Sequence, residues 1–428
     1  MRVTGVLQKL GKMLDFYSGF NPSPLSMKQF LDFGQKAVEN RSYVFLRKEL
    51  PVRLANIMKE INLLPEKLQS MPSVALVEKW YEMSFEEILE FENTPENDAQ
   101  TLKRFCETLV KIRNRHLDVV QTMAQGVVEL KDSHRVDSAM ELSIQYFLDR
   151  FYMSRISIRM LINQHTLLFG KESNSISHRH IGSIDPHCKV IDVIHDAYEN
   201  ARFLCEQYYL VAPSLVVREH NSIANGEPIK IVYVPSHLYH MVFELFKNSL
   251  RAVVEFHGTE RTVYPPVEAR VVLGKEDISI SIADRGGGIP RRNTDLLFQY
   301  MYSTAPQPPA AESHSAPLAG YGYGLPLSRL YARYFQGDLI VTSFEGYGTD
   351  AIIYLKALSN EANEKLPIFN KTSSKRYSNS VPAADWSSGT ATMTSRGNNN
   401  GPMSTRQGWS DSKPDDSDDG PPPDQDKK

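Results

Sequence analysis

From about Ser26 to Leu168, apolar residues recur every three or four positions between polar breaks. Ile144, Phe147, Leu148 and Phe151 show this rule within Met140 to Leu168, and Ser73 to Phe91 and Gln100 to Val119 repeat it. That periodicity predicts long amphipathic helices packed as a four-helix-type bundle. A stretch rich in Gly, Ser, His and Asn from Phe169 to Pro186 interrupts it and marks a domain boundary. Beyond it the period changes. Ile229 to Val234 and Val267 to Leu273 read as strands, and Ile278, Ile280 and Ile282 alternate with Ser279, Ser281 and Ala283 as on a half-buried strand. Gly274-Lys275-Glu276-Asp277 predicts an antiparallel hairpin, and Leu339 to Ser343 with Thr349 to Leu355 supply a second pair around Glu345-Gly346-Tyr347-Gly348. With helices before and between these strands, the fold class is α + α/β: the bundle, then an α/β sandwich of one mixed sheet and one helical layer. From about Tyr377 the chain turns rich in Ser, Asn, Gly, Pro and Asp, too poor in apolar area to offset ordering entropy, so disorder is expected beyond about residue 387.

One helical stretch carries more than a core face. Wound at about 3.6 residues per turn, it directs Leu238, Met241, Val242, Leu245 and Val253 one way. His240, Glu244, Asn248 and Arg251 fall within roughly 80° of one another on another face. A carboxylate, an amide oxygen and a guanidinium on one stripe suit a magnesium nucleotide when two later motifs join them. In Asp284-Arg285-Gly286-Gly287-Gly288, a carboxylate at a strand end can accept from the exocyclic amine of adenine, and glycines let the backbone approach the base. In Gly320-Tyr321-Gly322-Tyr323-Gly324-Leu325, alternate glycines can cradle phosphates before a helix whose N-terminal dipole favours anions. Each motif alone reads as a surface helix, a tight turn or a flexible loop; together and in order they point to an ATP site. The proline-rich loop from Ala305 to Pro317 predicts a mobile lid over it.

Composition narrows the class. A 428-residue chain with 41% hydrophobic and 23% charged residues and net charge -3 fits an ordinary globular protein with no global pull toward nucleic acid. The three cysteines, Cys106, Cys188 and Cys205, have no paired-ligand spacing, which argues against a disulfide framework and a zinc site. No run of about 18 apolar residues spans a membrane. The first residues carry Arg2, Lys9 and Lys12 and no acid before Asp15, a pattern open both to a short amphipathic targeting segment and to a plain first helix.

Glu244 to Asn248, Asp284 to Gly288 and Gly320 to Leu325 resemble the N, G1 and G2 boxes of the GHKL superfamily shared by histidine kinases, Hsp90, type II topoisomerases and MutL. Within it the chain resembles the mitochondrial pyruvate dehydrogenase kinase family across roughly residues 15 to 386. The resemblance rests also on Pro22-Ser23-Pro24-Leu25-Ser26, Leu50-Pro51-Val52-Arg53-Leu54-Ala55, Ile112-Arg113-Asn114-Arg115-His116, Tyr300-Met301-Tyr302-Ser303-Thr304 and Asp385-Trp386. It implies a layout of residues 1–25 as an N-terminal segment, 26–177 as a regulatory, lipoyl-binding bundle, 178–365 as a GHKL kinase domain, and 366–428 as a tail.

The resemblance also implies roles. Glu244 becomes the base that orients a substrate hydroxyl and accepts its proton, with His240 one turn earlier steering it, and Asn248 the magnesium ligand. The N-box turn as a whole, Glu244, Leu245, Phe246, Lys247, Asn248, Ser249, Leu250 and Arg251, together with Asp284, Gly286, Gly288, Ser303, Thr304, Gly320, Tyr321, Gly322, Tyr323, Gly324, Leu325 and Thr349, surrounds ATP. Of the two cations Arg251 shares the polar stripe, and Lys247 is open to a phosphate or a solvated role. Leu25, Phe30, Phe33 and Phe45 become a pocket for a lipoyl-lysine arm, though ordinary core reads as well. Leu54, Tyr81, Ile112, Arg113, His116, Arg155, Ile158 and Arg159 become a regulatory pocket for pyruvate-like carboxylates centred on Arg155, or internal ion pairs. Asp385 and Trp386 imply a tail that crosses to a second subunit in a homodimer.

The implied activity is a mitochondrial-matrix kinase that phosphorylates serines of the pyruvate dehydrogenase E1 alpha subunit, docks on the lipoyl domain of the E2 acetyltransferase, and uses ATP with Mg2+, potassium being left open. Three rivals stand beside it: a branched-chain ketoacid dehydrogenase kinase, a histidine autokinase using His116, and a non-catalytic ATP-gated scaffold.

Overall fold

The computed structural model describes residues 2–36, 38–95, 98–170, 180–224, 226–300, 302–303, 322–370 and 373–374, all within the unit Met1–Ser380. The expected disorder beyond residue 387, the lid and the Asp385-Trp386 motif lie outside these residues.

The helical half runs α1 (Arg2–Ser18), α2 (Met27–Gln35), α3 (Glu39–Ile61), α4 (Glu66–Gln69), α5 (Pro72–Leu89), α6 (Ala99–Arg115), α7 (Val119–Ser133) and α8 (Ser138–Phe169). Local chemistry explains the ends. Ser26 and Gln29 close a capping box on α2, and Asp98 and Asp137 accept from the first-turn N–H groups of α6 and α8. The bundle packs α3 against α5 and α8, α6 against α8, and α7 against α5. Tyr43, Phe85, Phe91, Phe105, Phe147 and Phe151 are fully buried in it. The periodic Ile144, Phe147, Leu148 and Phe151 all face this core. Helix α1 lies along α3, with Leu14 and Tyr17 buried and the Tyr17 hydroxyl donating to Glu92 Oε1 at 2.8 Å.

The second half is built from β1 (Asp185–Lys189), α9 (Val190–Tyr209), β2 (Leu215–Asn221), β3 (Lys230–Tyr233), α10 (Pro235–His257), β4 (Val267–Leu273), β5 (Asp277–Ala283), α11 (Arg291–Thr294), α12 (Gly324–Tyr334), β6 (Asp338–Phe344) and β7 (Gly348–Lys356). The main sheet has the order β2-β4-β5-β7-β6, with β2 parallel to β4 and the other pairs antiparallel. It is the mixed sheet expected, and both predicted hairpins form, Gly274 N–H donating to the Asp277 carbonyl at 2.9 Å in the first. One face buries Val267, Ala269, Val271, Ile278, Ile280, Ile282, Ile353 and Leu355 beneath the layer of α9, α10 and α12.

One assignment is corrected. β3 is not in the main sheet; it pairs with β1 in a separate two-stranded ribbon. The parallel partner of β4 is β2, whose mostly exposed Leu-Val-Val-Arg-Glu-His-Asn is an edge strand with only three apolar residues. β1, Asp-Pro-His-Cys-Lys, has no β-branched or aromatic residue to announce it.

The two halves are joined by a buried polar node. Arg53, from the Leu-Pro-Val-Arg-Leu-Ala run on α3, pairs with Glu49 at 2.9 Å and with both oxygens of Glu364 at 2.8 Å. Nη2, one of the two nitrogens on Glu364, also donates to the Ser23 carbonyl at 3.0 Å. Glu364, just beyond β7, also accepts from the Tyr334 hydroxyl at the end of α12 and from the Leu25 N–H. An unpaired charge at this depth would be costly, so the node keeps each donor matched to an acceptor.

Candidate nucleotide site

Helix α10 starts at Pro235, whose missing N–H costs nothing in a first turn, and is closed by Gly258. Its apolar stripe is buried as predicted, and its polar stripe opens onto a cavity of about 500 Å³. Glu244, Leu245, Asn248, Ser249 and Arg251 line it from α10, Asp284, Gly286 and Gly288 from the turn after β5, Ser303, Gly322, Gly324 and Leu325 from either side of residues 304–321, and Thr349 from β7. Residues more than a hundred positions apart in sequence thus meet around one hollow.

Asp284 is buried at its floor. Burial raises its carboxyl above the ordinary value, opposed by the Gly286 N–H at 2.9 Å and the Ser249 hydroxyl. Its backbone N–H is held by the Thr349 carbonyl at 2.9 Å, and the Thr349 and Ser343 hydroxyls meet at 2.8 Å. Gly286 permits the close approach of two elements, since a Cβ there would stand 2.6 Å from the Ala252 backbone of α10. Gly324, opening α12, comes as near to Glu244: a Cβ would lie 2.4 Å from Oε2. Glu244 Oε1 takes an ion pair from Lys247 Nζ at 2.7 Å, and Lys247 also lies over the Phe243 ring.

Several predicted residues are elsewhere. Phe246 is fully buried against Tyr198, and Leu250 is in the core. Both follow from the helical period, which turns them away from the Glu244 face. Lys247 is not among the residues lining the cavity; it is largely buried and paired with Glu244. Tyr323 packs edge-on against Tyr152 and tilted against Tyr300 instead of facing the hollow. His240 does not line it: no hydrogen bond to Glu244 forms, and its Nε2 is buried without a partner among the described residues. Thr304, Gly320 and Tyr321 lie outside the described residues. Ala252, Glu255 and Phe256 were missed, although they continue the Asn248 stripe at i+4, i+7 and i+8. Asn293, Leu297 and Val341 carried no sequence signal.

In the bundle, Phe45 lines a cavity of about 790 Å³ with Phe20, Val44 and Val52, whereas Phe30 is buried in the core and Leu25 and Phe33 are half-buried. Of the other predicted set, Tyr81, His116, Arg155 and Arg159 lie together. Leu54, Tyr81, Ile112, His116, Arg155 and Ile158 are buried, with Arg113 and Arg159 half-buried beside them. Tyr81 and His116 rings are 4.5 Å apart, and Arg155 Nη2 donates to the His116 carbonyl at 2.9 Å. Tyr81 hydroxyl, Arg155 Nε and Arg159 Nη1 are buried without partners among the described residues. Burial lowers His116 to about 4, the Trp80 carbonyl opposing it and Arg155 assisting, which keeps the ring neutral at pH 7.

A mixed sheet under three helices, with a carboxylate and an amide on one helix facing a glycine-rich turn and a glycine-led helix, defines a GHKL-type ATPase. Residues 233–359 match the family of histidine kinase-, DNA gyrase B- and HSP90-like ATPases, and residues 24–185 match the mitochondrial branched-chain alpha-ketoacid dehydrogenase kinase family. Among full-length relatives, the mitochondrial [pyruvate dehydrogenase (acetyl-transferring)] kinase of Drosophila melanogaster is 64% identical over 385 residues, 89% of this chain and 93% of that protein. Human isozyme 3 of that kinase is 61% identical over 381 residues, 89% of this chain and 94% of it, and human isozyme 1 is 59% identical over 376, 87% and 86%. The chain belongs to the mitochondrial pyruvate dehydrogenase kinase family.

Proposed function

We propose that this chain is a mitochondrial protein kinase that transfers the γ-phosphate of ATP to serines of the pyruvate dehydrogenase E1 alpha subunit, inactivating the complex and restraining pyruvate oxidation. The observation that carries the reading is the meeting of Glu244, Asn248, Asp284, Gly324 and Thr349 around one cavity. Phosphoryl transfer passes through a loose transition state, so the protein chiefly positions groups and stabilises charge. Glu244 orients the serine hydroxyl and accepts its proton, and Lys247 holds that carboxylate in place. Asp284, anchored by Gly286 and Ser249, accepts from the adenine amine. The Asn248 amide oxygen suits one position of a Mg2+ ion, which when bound would neutralise phosphate charge. Arg251, on the cavity wall, adds a cation near the phosphates.

The bundle serves docking and control in the same reading. The hollow at Phe45 and the Leu25 to Phe33 segment takes the lipoyl arm of the E2 core, and the kinase works as a homodimer in the matrix. Buried, unpartnered Arg155 Nε, Arg159 Nη1 and Tyr81 hydroxyl favour a pyruvate-like carboxylate over internal ion pairing, since Arg155 donates to carbonyls and not to a carboxylate.

The match over residues 24–185 makes branched-chain ketoacid dehydrogenase the specific rival substrate. Labelled ATP offered with the two E1 components separately decides between them: alkali-labile, acid-stable label on pyruvate dehydrogenase E1 alpha is expected. Label confined to the branched-chain component would reverse the assignment. Glu244→Gln should abolish transfer and leave Mg-ADP affinity within about twofold, because the change removes a proton acceptor and leaves the adenine floor intact.

A further inference from the structure

Helix α12 touches the polar stripe of α10 at two levels. Gly324, at its start, faces Glu244, and Tyr331, two turns later, faces the preceding turns. The Tyr331 ring is 4.8 Å from that of His240 and 4.8 Å from that of His237, tilted at 56° and 54°. These imidazoles need an external constraint. His240 Nε2 and His237 Nδ1 are buried with no hydrogen-bond partner among the described residues, so no hydrogen bond at those atoms fixes ring rotation. Ring packing is then the available restraint on χ2, a soft torsion for an imidazole. Burial lowers both rings below the ordinary histidine value, His237 to about 3, with the Glu244 carboxylate opposing the shift at His240. His240 is thus within electrostatic reach of the Glu244 carboxylate one turn ahead.

We infer that Tyr331 is a positioning residue for phosphoryl transfer: its ring sets the orientation of His240, and through His240 that of Glu244. The inference rests on Glu244 acting as proposed above. It gives α12 a second role, because the helix that opens at the glycine-rich box also carries the clamp on the residue behind the base. Tyr331 is in addition within electrostatic reach of Arg159, so the clamp borders the cationic pocket.

The test uses the full chain with its protein substrate and compares Tyr331→Phe, Tyr331→Leu, Tyr331→Met, His240→Ala and the Tyr331→Leu/His240→Ala double variant. A ring-dependent role predicts that the Phe variant keeps kcat within about twofold while the Leu and Met variants lose about tenfold, with ATP KM and Mg-ADP affinity unchanged. It also predicts that the double variant is no slower than His240→Ala alone, since one orienting contact can be lost only once. Full activity in the Leu variant would overturn the inference, as would a double variant slowed by the product of the single effects. Loss of Mg-ADP binding by both the Leu and Met variants would also overturn it, because Tyr331 would then be holding the fold. Glu244→Gln separates this inference from its premise. An active Glu244→Gln removes the base, whereas an inactive one beside a fully active Tyr331→Leu removes only the clamp.

Discussion

At Gly324 an alanine should be welcome by every local rule, since it sits in the first turn of a helix and alanine favours helix by up to about 1 kcal/mol over glycine. What it meets is the tip of Glu244, with Oε2 at 2.4 Å and Cδ at 3.2 Å from the added Cβ. A carboxylate end can swing aside cheaply, so the fold survives and the base is displaced. Gly324→Ala is therefore expected to keep its melting temperature and lose kcat by tenfold or more, read from turnover and thermal unfolding of the same preparation. A variant with normal turnover would show that the close approach has no bearing on the reaction. Lys247 carries the same lesson: the cation candidate for a phosphate is bound to Glu244 instead, a pairing at i and i+3 that the helical period permits and the polar stripe alone did not reveal.

Among the elements, α3 and α12 bear on one another through Arg53, Glu364 and Tyr334, and the segment before α2 is tied into the same node by the Leu25 N–H and the Ser23 carbonyl. Removing one member of a buried ion pair leaves the other uncompensated, at a cost of about 3–5 kcal/mol, whereas replacing both by apolar groups is often far milder. Arg53→Met should lower the denaturant midpoint sharply, and Arg53→Met/Glu364→Met should recover part of the loss. Equal destabilisation by the single and double variants would mean that charge pairing at the node contributes little. Strand signals were legible where alternation was strong, as in β4 and β5, and failed at the short β1 and at β2, whose second half is wholly polar.

Across the whole molecule, acid sensitivity should track buried histidines. His116 and His165 are lowered by burial to about 4 and His237 to about 3, from an ordinary value of 6.5. A depressed folded value means that the unfolded chain binds more protons below pH 6.5. The stability is fully present above 6.5 and is lost as pH falls from there toward the folded values, on the order of 1 kcal/mol per pH unit for each ring kept neutral. The urea midpoint is expected to drop between pH 7.5 and 5, and His165→Gln, which can keep a contact with the Ser42 hydroxyl, should flatten that drop. A midpoint constant over this range would rule out histidine linkage as a main term. No helix among the described residues is long and apolar enough to cross a membrane.

Periodicity and motif order in the chain by themselves determined the helical bundle, both hairpins, the buried stripe of α10 and the Glu244, Asn248, Arg251, Asp284 and glycine-motif positions around the cavity. These are local regularities, set by 3.6 residues per helical turn and two per strand, and by glycine and carboxylate chemistry at fixed spacings. Only the tertiary structure decided that Lys247 serves Glu244, that Tyr323 packs with Tyr152 and Tyr300, that His240 lies under Tyr331, and that Arg53 finds Glu364 three hundred residues away. Those outcomes depend on which element a buried face meets, and burial leaves each polar atom on that face to whatever partner the neighbouring element supplies.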